Sequence, residues 1–127
     1  MVQGSLVVRN ATKDKVLATR AAEARDFGDR LVGLMGQREL PVGHGLHIVP
    51  CNSIHTFFMR IPIDALFLDK QGKVVKLLGA LVPWRMTSVY FDAHSVLELP
   101  AGVAAASGTV EGDQLEFTQG GAEPEKF

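Results

Sequence analysis

The sequence predicts a mostly β, antiparallel domain, and three observations carry that expectation. Short runs rich in Val, Ile, Leu and Phe recur between clusters of Gly, Pro, Asn and Asp along most of the chain, which is the rhythm of strands and turns. Apolar residues make up 46% of the 127 and charged residues 21%, the composition of a chain that folds around a core. Strong helical spacing occurs in one stretch only, between Phe27 and Met35.

The elements follow in order. Ser5 to Arg9 and Lys15 to Thr19 are β-branched runs separated by Asn10, Ala11, Thr12, Lys13 and Asp14, a hairpin with a polar loop. Phe27, Leu31, Leu34 and Met35 then fall at i, i+4, i+7 and i+8, which places them on one helical face. Asp26 is positioned to cap this helix and Gly36 to close it. Strands are expected at Leu46 to Val49, Ile54 to Arg60, Ile63 to Leu68, Lys73 to Val82, Ser95 to Leu99 and Gln114 to Thr118. The loop Asp69 to Gly72 ends in a residue free to take positive φ, so the strands on either side should pair antiparallel. A weaker helical turn is expected after Pro100, closed at Gly108. Residues 1–119 read as one β-rich domain, and the polar tail 120–127 as frayed.

Charge narrows the function classes. Thirteen basic and fourteen acidic residues, interspersed, give a net charge of -1, so the clustered basic face of a nucleic-acid binder is not expected. Cys51 is the single cysteine, which rules out an intrachain disulfide and fits a reducing compartment. MVQGSLVVRN lacks the basic-then-apolar pattern of a signal peptide, and no apolar run reaches the length of a membrane span. A cytoplasmic location is the default expectation. A chain of this length buries enough surface to fold without a metal or other cofactor.

The stretch IHTFFMRIPIDALFLDKQGKVV from Ile54, together with GLMGQREL from Gly33, VPWR from Val82, VLELPAG from Val96 and the Gly112–Asp113 pair, resembles the family called domain of unknown function 192. The blocks occur in the family's order and cover most of the chain from Arg30 to Leu115. The resemblance implies a compact β-sandwich or jelly-roll-like domain with one or two short helices, and brings no agreed activity, cofactor or catalytic residue. Gln37 stands where the family usually has a basic residue, and His44 and His47 also depart from its pattern.

Five residues form a candidate ligand-binding pocket: His55, Arg60, Asp64, Trp84 and Arg85. His55 shares a strand face with Phe57 and Met59, and aromatic walls with a few polar groups suit ligands; the plainer reading is a hydrogen-bonded structural histidine. Asp64 lies between apolar neighbours, where an ionised carboxylate needs a partner. It is expected to pair with a cation, foremost Arg60 or Arg85, or to cap a turn. Trp84 beside Arg85 suits a sugar ring or a carboxylate, or else closes one end of the fold. Cys51, His44, His47 and His55 are zinc-ligand types, but His44 and His47 differ in strand parity and diverge. No metal is therefore expected, and Cys51 reads as buried and inert. Glu98 alternates with Leu97 and Leu99 and reads as solvent-facing.

The leading functional expectation is a binding module for a small polar, sugar-like or peptide ligand. The alternatives are a hydrolase or isomerase using His55 and Asp64 as acid and base, or a protein-binding scaffold without a pocket. No phosphate loop, dinucleotide fingerprint or serine elbow is present.

Overall fold

A computed structural model describes residues 4–25, 40–57 and 59–120. Among the described residues the strands are β1 (Gly4–Asn10), β2 (Lys15–Ala24), β3 (His44–Ile48), β4 (Ile63–Leu68), β5 (Val74–Leu81), β6 (Ser95–Pro100) and β7 (Leu115–Gln119), with one short helix, α1 (Val103–Ser107). The helix read from Asp26 to Gly36, with its Phe27–Met35 stripe, lies outside the described residues, as does the tail from residue 121.

All the strands belong to one sheet, in the order β5-β4-β6-β3-β2-β1-β7. The mostly β class expected from the sequence holds. The pairing is mixed, however: β2 and β3 run parallel, Arg20 opposite His44 through Ala24 opposite Ile48. An antiparallel-only sheet was the expectation, and the long connection from residue 25 to residue 43 allows the exception, because parallel neighbours require a crossover.

The turns form for the reasons read from the sequence. In the β1–β2 hairpin the Asn10 carboxamide accepts from the Lys13 amide at 3.0 Å. In the β4–β5 hairpin the Asp69 carboxylate accepts from the amides of Gln71 and Lys73, each at 2.9 Å, while Gly72 takes φ 85°.

The sheet curls until its two edge strands meet. Val74 donates to the Asp113 carbonyl at 2.9 Å, Gly112 to Val74 at 2.7 Å and Leu115 to Gly72 at 3.0 Å. Exposed edge amides that template aggregation are thereby paired over this stretch.

Curling divides the core in two. An inner cluster gathers Val8, Ala21, Leu66, Val74, Leu97 and Leu115 from six strands. An outer cluster gathers Leu46, Ile48, Ile63, Ala65, Phe67 and Val96, covered by Ile54 and Leu40. β4 contributes to both and is buried at every position, which explains a strand sequence, IDALFL, that is apolar on both faces.

The strand expected at Ile54 to Arg60 does not form. Among the described residues this stretch makes one isolated bridge, His55 with Met86. Its partner segment contains Pro83, which has no amide proton, and Trp84 at φ 65°, and neither can continue a regular ladder.

Candidate functional site

Thr56 organises the irregular region. It is fully buried, its hydroxyl donates to the Val82 carbonyl at 2.7 Å and accepts from the Arg85 amide at 2.9 Å. Its backbone amide donates to Arg85 at 2.8 Å, and its carbonyl accepts from Trp84 at 3.0 Å. The clasp continues as Thr87 donates to Ile54 and Tyr90 to Asn52, each at 2.9 Å. Two segments remote in sequence, 52–56 and 84–90, are thus tied side by side over the outer core.

Between them lies a cleft of about 390 Å³ lined chiefly by Ile48, Ile54, Met86 and Val89, with Ser53, His55, Thr87 and Cys51 as its polar members. A second cleft of about 320 Å³ adjoins it, sharing Cys51 and Ser53 and adding Pro50, Asn52, Ala93 and His94. The cleft is open to solvent along one wall, where Met86 is 73% exposed and Val89 48%.

Of the five pocket candidates, the structure brings three into this region. His55 lines the cleft. Its ring packs 4.6 Å from that of Phe57, which in turn lies 5.6 Å from Trp84. Arg85 is exposed beside them and its guanidinium donates to the Trp84 carbonyl at 3.4 Å. Arg60 is exposed and lines neither cleft.

Asp64 lines neither cleft and is 1% exposed, and its partners among the described residues are not cations. One carboxylate oxygen accepts from the Ala80 amide at 2.8 Å. The other accepts from the amides of Gly102 at 3.1 Å and Ala104 at 2.9 Å. The expected pairing with Arg60 or Arg85 is therefore corrected, and the capping alternative fits instead: three amides, at the left-handed Ala80 and around the start of α1, donate to the carboxylate. Asp64 thus lies outside both clefts, whereas His55 lines the first.

Two further readings change. Cys51 is half-buried rather than buried, lines both clefts, and its thiol donates to the Ser53 carbonyl at 3.0 Å. Glu98, expected to face solvent, is 5% exposed. It sits opposite Leu46 on β3 and Ala65 on β4, and burial pushes its carboxyl up to about 7. The alternation that suggested exposure is real, but the outward face of β6 is itself covered by the outer cluster.

His47 faces the inner side. Its Nε2 lies 2.9 Å from the Ser95 hydroxyl and its ring stacks on Phe117 at 4.3 Å. Burial lowers the imidazole to about 4, against the opposing pull of Glu23, whose carboxylate is 3.4 Å from Nδ1. Hydroxyl, imidazole and carboxylate stand in the order of a hydrolytic triad. Ser95 is 4% exposed and Nδ1 makes no hydrogen bond, so the arrangement is a packed polar contact. His47 and His44 do not join Cys51 and His55, and no grouping of three or more His, Cys, Asp or Glu suited to a metal occurs among the described residues. No helix among them is long and apolar enough to cross a membrane.

The cleft residues Ile48, Ile54, Met86, Thr87 and Val89 were missed from sequence as site residues. The available signal was the run from Pro83 to Phe91, in which Trp84, Met86, Val89, Tyr90 and Phe91 are aromatic or apolar yet fall outside every expected strand.

Comparisons with known proteins agree with this architecture. A UPF0127 protein of Pyrococcus furiosus is 32% identical over 115 residues, covering 87% of this chain and 97% of the relative. One from Thermococcus sibiricus is 36% identical over 114 residues, covering 85% and 72%. A crystal structure of a protein of unknown function from Novosphingobium aromaticivorans matches with a TM-score of 0.73 and 25% identity, covering 90% of this chain and 84% of that one. A Sinorhizobium meliloti structure, named as a candidate transcription regulator, matches with a TM-score of 0.73 and 24% identity over 91% and 93% of the two chains; likeness at that identity shows the fold alone. The model of domain of unknown function 192, described as "Uncharacterized ACR", matches residues 8–117. The chain belongs to this uncharacterised family.

Proposed function

We propose that the protein is a binding module whose site is the cleft between residues 48–55 and 86–89, and that it takes a small ligand with a substantial apolar part. The observation that carries the reading is the lining itself. Ile48, Ile54, Met86 and Val89 form an aliphatic trough with a few polar groups at one end, and its volume of about 390 Å³ is in the range that ligand sites use. A sugar, which needs polar partners around its ring, fits this wall less well than a hydrocarbon or aromatic group. Trp84, stacked on Phe57 beside His55, adds exposed aromatic surface next to the cleft. The lone cysteine fits a reducing, cytoplasmic setting.

Fluorescence titration with anilinonaphthalene sulfonate, an amphiphilic reporter of apolar sites, tests the proposal on the native chain. Met86→Asp with Val89→Asp places charge in the trough at two exposed positions, so the fold should survive. Binding to the double variant should weaken on the order of tenfold or more. Equal binding to both proteins would overturn the reading.

A further inference from the structure

We infer that the ligand of this cleft is an amphiphilic carboxylate, its head at Ser53 and His55 and its tail along Ile48, Ile54, Met86 and Val89. The inference rests on the binding reading above and adds the chemistry of the polar end.

The argument begins with a proton. His55 Nδ1 accepts from the Phe57 amide at 3.2 Å, and a ring nitrogen that accepts carries no hydrogen. The ring's proton therefore sits on Nε2, an assignment made from this hydrogen bond. Nε2 has no partner among the described residues, so His55 lines the cleft as a hydrogen-bond donor.

The other polar groups sort in the same way. The Thr87 hydroxyl is committed, donating to the Ser88 carbonyl at 2.9 Å and accepting from the Ile54 amide at 3.0 Å. The Cys51 thiol proton is spent on the Ser53 carbonyl. The Ser53 hydroxyl has no partner among the described residues. Two donors, the His55 N–H and the Ser53 O–H, thus remain for a ligand.

Among the described residues no Asp or Glu lines either cleft, and the titratable ones are His55 and Cys51 in the first and Cys51 and His94 in the adjoining one. Among these residues an ammonium head would meet no counter-charge to offset its lost hydration, and the His55 N–H could not accept from it. A carboxylate offers two acceptor oxygens to two donors, and hydrogen bonds to a charged acceptor are about twice as strong as neutral ones. The aliphatic wall then takes the tail.

NMR titration of the full chain with octanoate, octanol and octylamine, following residues 48–55 and 86–89, tests this. Octanoate should bind on the order of tenfold more tightly than octanol, with octylamine weakest. His55→Phe keeps an aromatic ring and removes the donor, so octanoate should fall to the level of octanol while octanol is unchanged; His55→Gln, which restores an N–H donor, should recover part of the preference. Ser53→Ala provides the same comparison should His55→Phe fail to fold. Octanol binding as tightly as octanoate, or a preference that survives both His55→Phe and Ser53→Ala, overturns the carboxylate while leaving the cleft reading intact. An absence of shifts with all three probes removes the cleft reading, and this inference with it.

Discussion

Asp64 on β4 and Glu98 on β6 are acidic residues flanked by aliphatic ones in neighbouring strands, and the fold treats them in opposite ways. Asp64 accepts hydrogen bonds from three backbone amides. Glu98 has no side-chain hydrogen bond or ion pair among the described residues, and burial alone raises it to about 7. Position along the strand accounts for the difference. Asp64 lies at the start of β4, where β5 breaks register at Ala80 and α1 begins, so unpaired amides are at hand. Glu98 lies in the middle of β6 between β3 and β4, where the surrounding amides belong to ladders. Strand ends can solvate a carboxylate and strand centres cannot.

The strongest test of this comparison removes the satisfied acid. Asp64→Ala should destabilise by about 3–5 kcal/mol, because it strands buried amides at about 1–3 kcal/mol each. Urea denaturation would measure it, and a loss below about 1 kcal/mol would mean that water replaces the carboxylate at little cost.

Glu98 should respond with the opposite sign. Its folded value is raised from 4.5 to about 7, so its contribution is fully present below the unfolded value and is lost as pH rises through the folded one. Wild-type stability relative to Glu98→Gln should therefore fall by about 3 kcal/mol between about pH 4 and about pH 8, at roughly 1.4 kcal/mol per tenfold in acidity. Paired denaturation curves across that interval decide it; a gap independent of pH would show that Glu98 is solvated.

The smallest effect concerns the geometry that serves Asp64. Ala80 is held at φ 51° while its amide donates to the carboxylate, and a non-glycine residue there costs about 1 kcal/mol. Ala80→Gly should accordingly raise stability by up to about 1 kcal/mol in thermal denaturation. A decrease would mean that the flexibility glycine adds to the unfolded chain outweighs the relief of strain.

Much of the fold was legible because its causes are local. The β1–β2 and β4–β5 hairpins follow from Asn10, Asp69 and Gly72, whose turn chemistry acts over a few residues. The turn after Pro100 appears as α1, closed by Gly108 at φ 73° as expected. Ile54 to Arg60 failed for a reason that lies elsewhere: its β-forming composition is overridden by a partner containing Pro83 and Trp84.

The candidate site divides along the same line. The chain by itself determined that His55, Trp84 and Arg85 sit in family-matching blocks, and that Asp64 needs a partner. Only the tertiary structure decided what that partner is, because amides 16 and 38–40 residues away leave no periodic trace in the sequence. It also decided that β2 and β3 run parallel, that Glu98 lies under a second layer, and that Ile48 and Ile54 meet Met86 and Val89 across a cleft. Alternation reports that a strand has two faces. Whether each face meets solvent depends on which distant segments pack over it, and that is set by the three-dimensional fold.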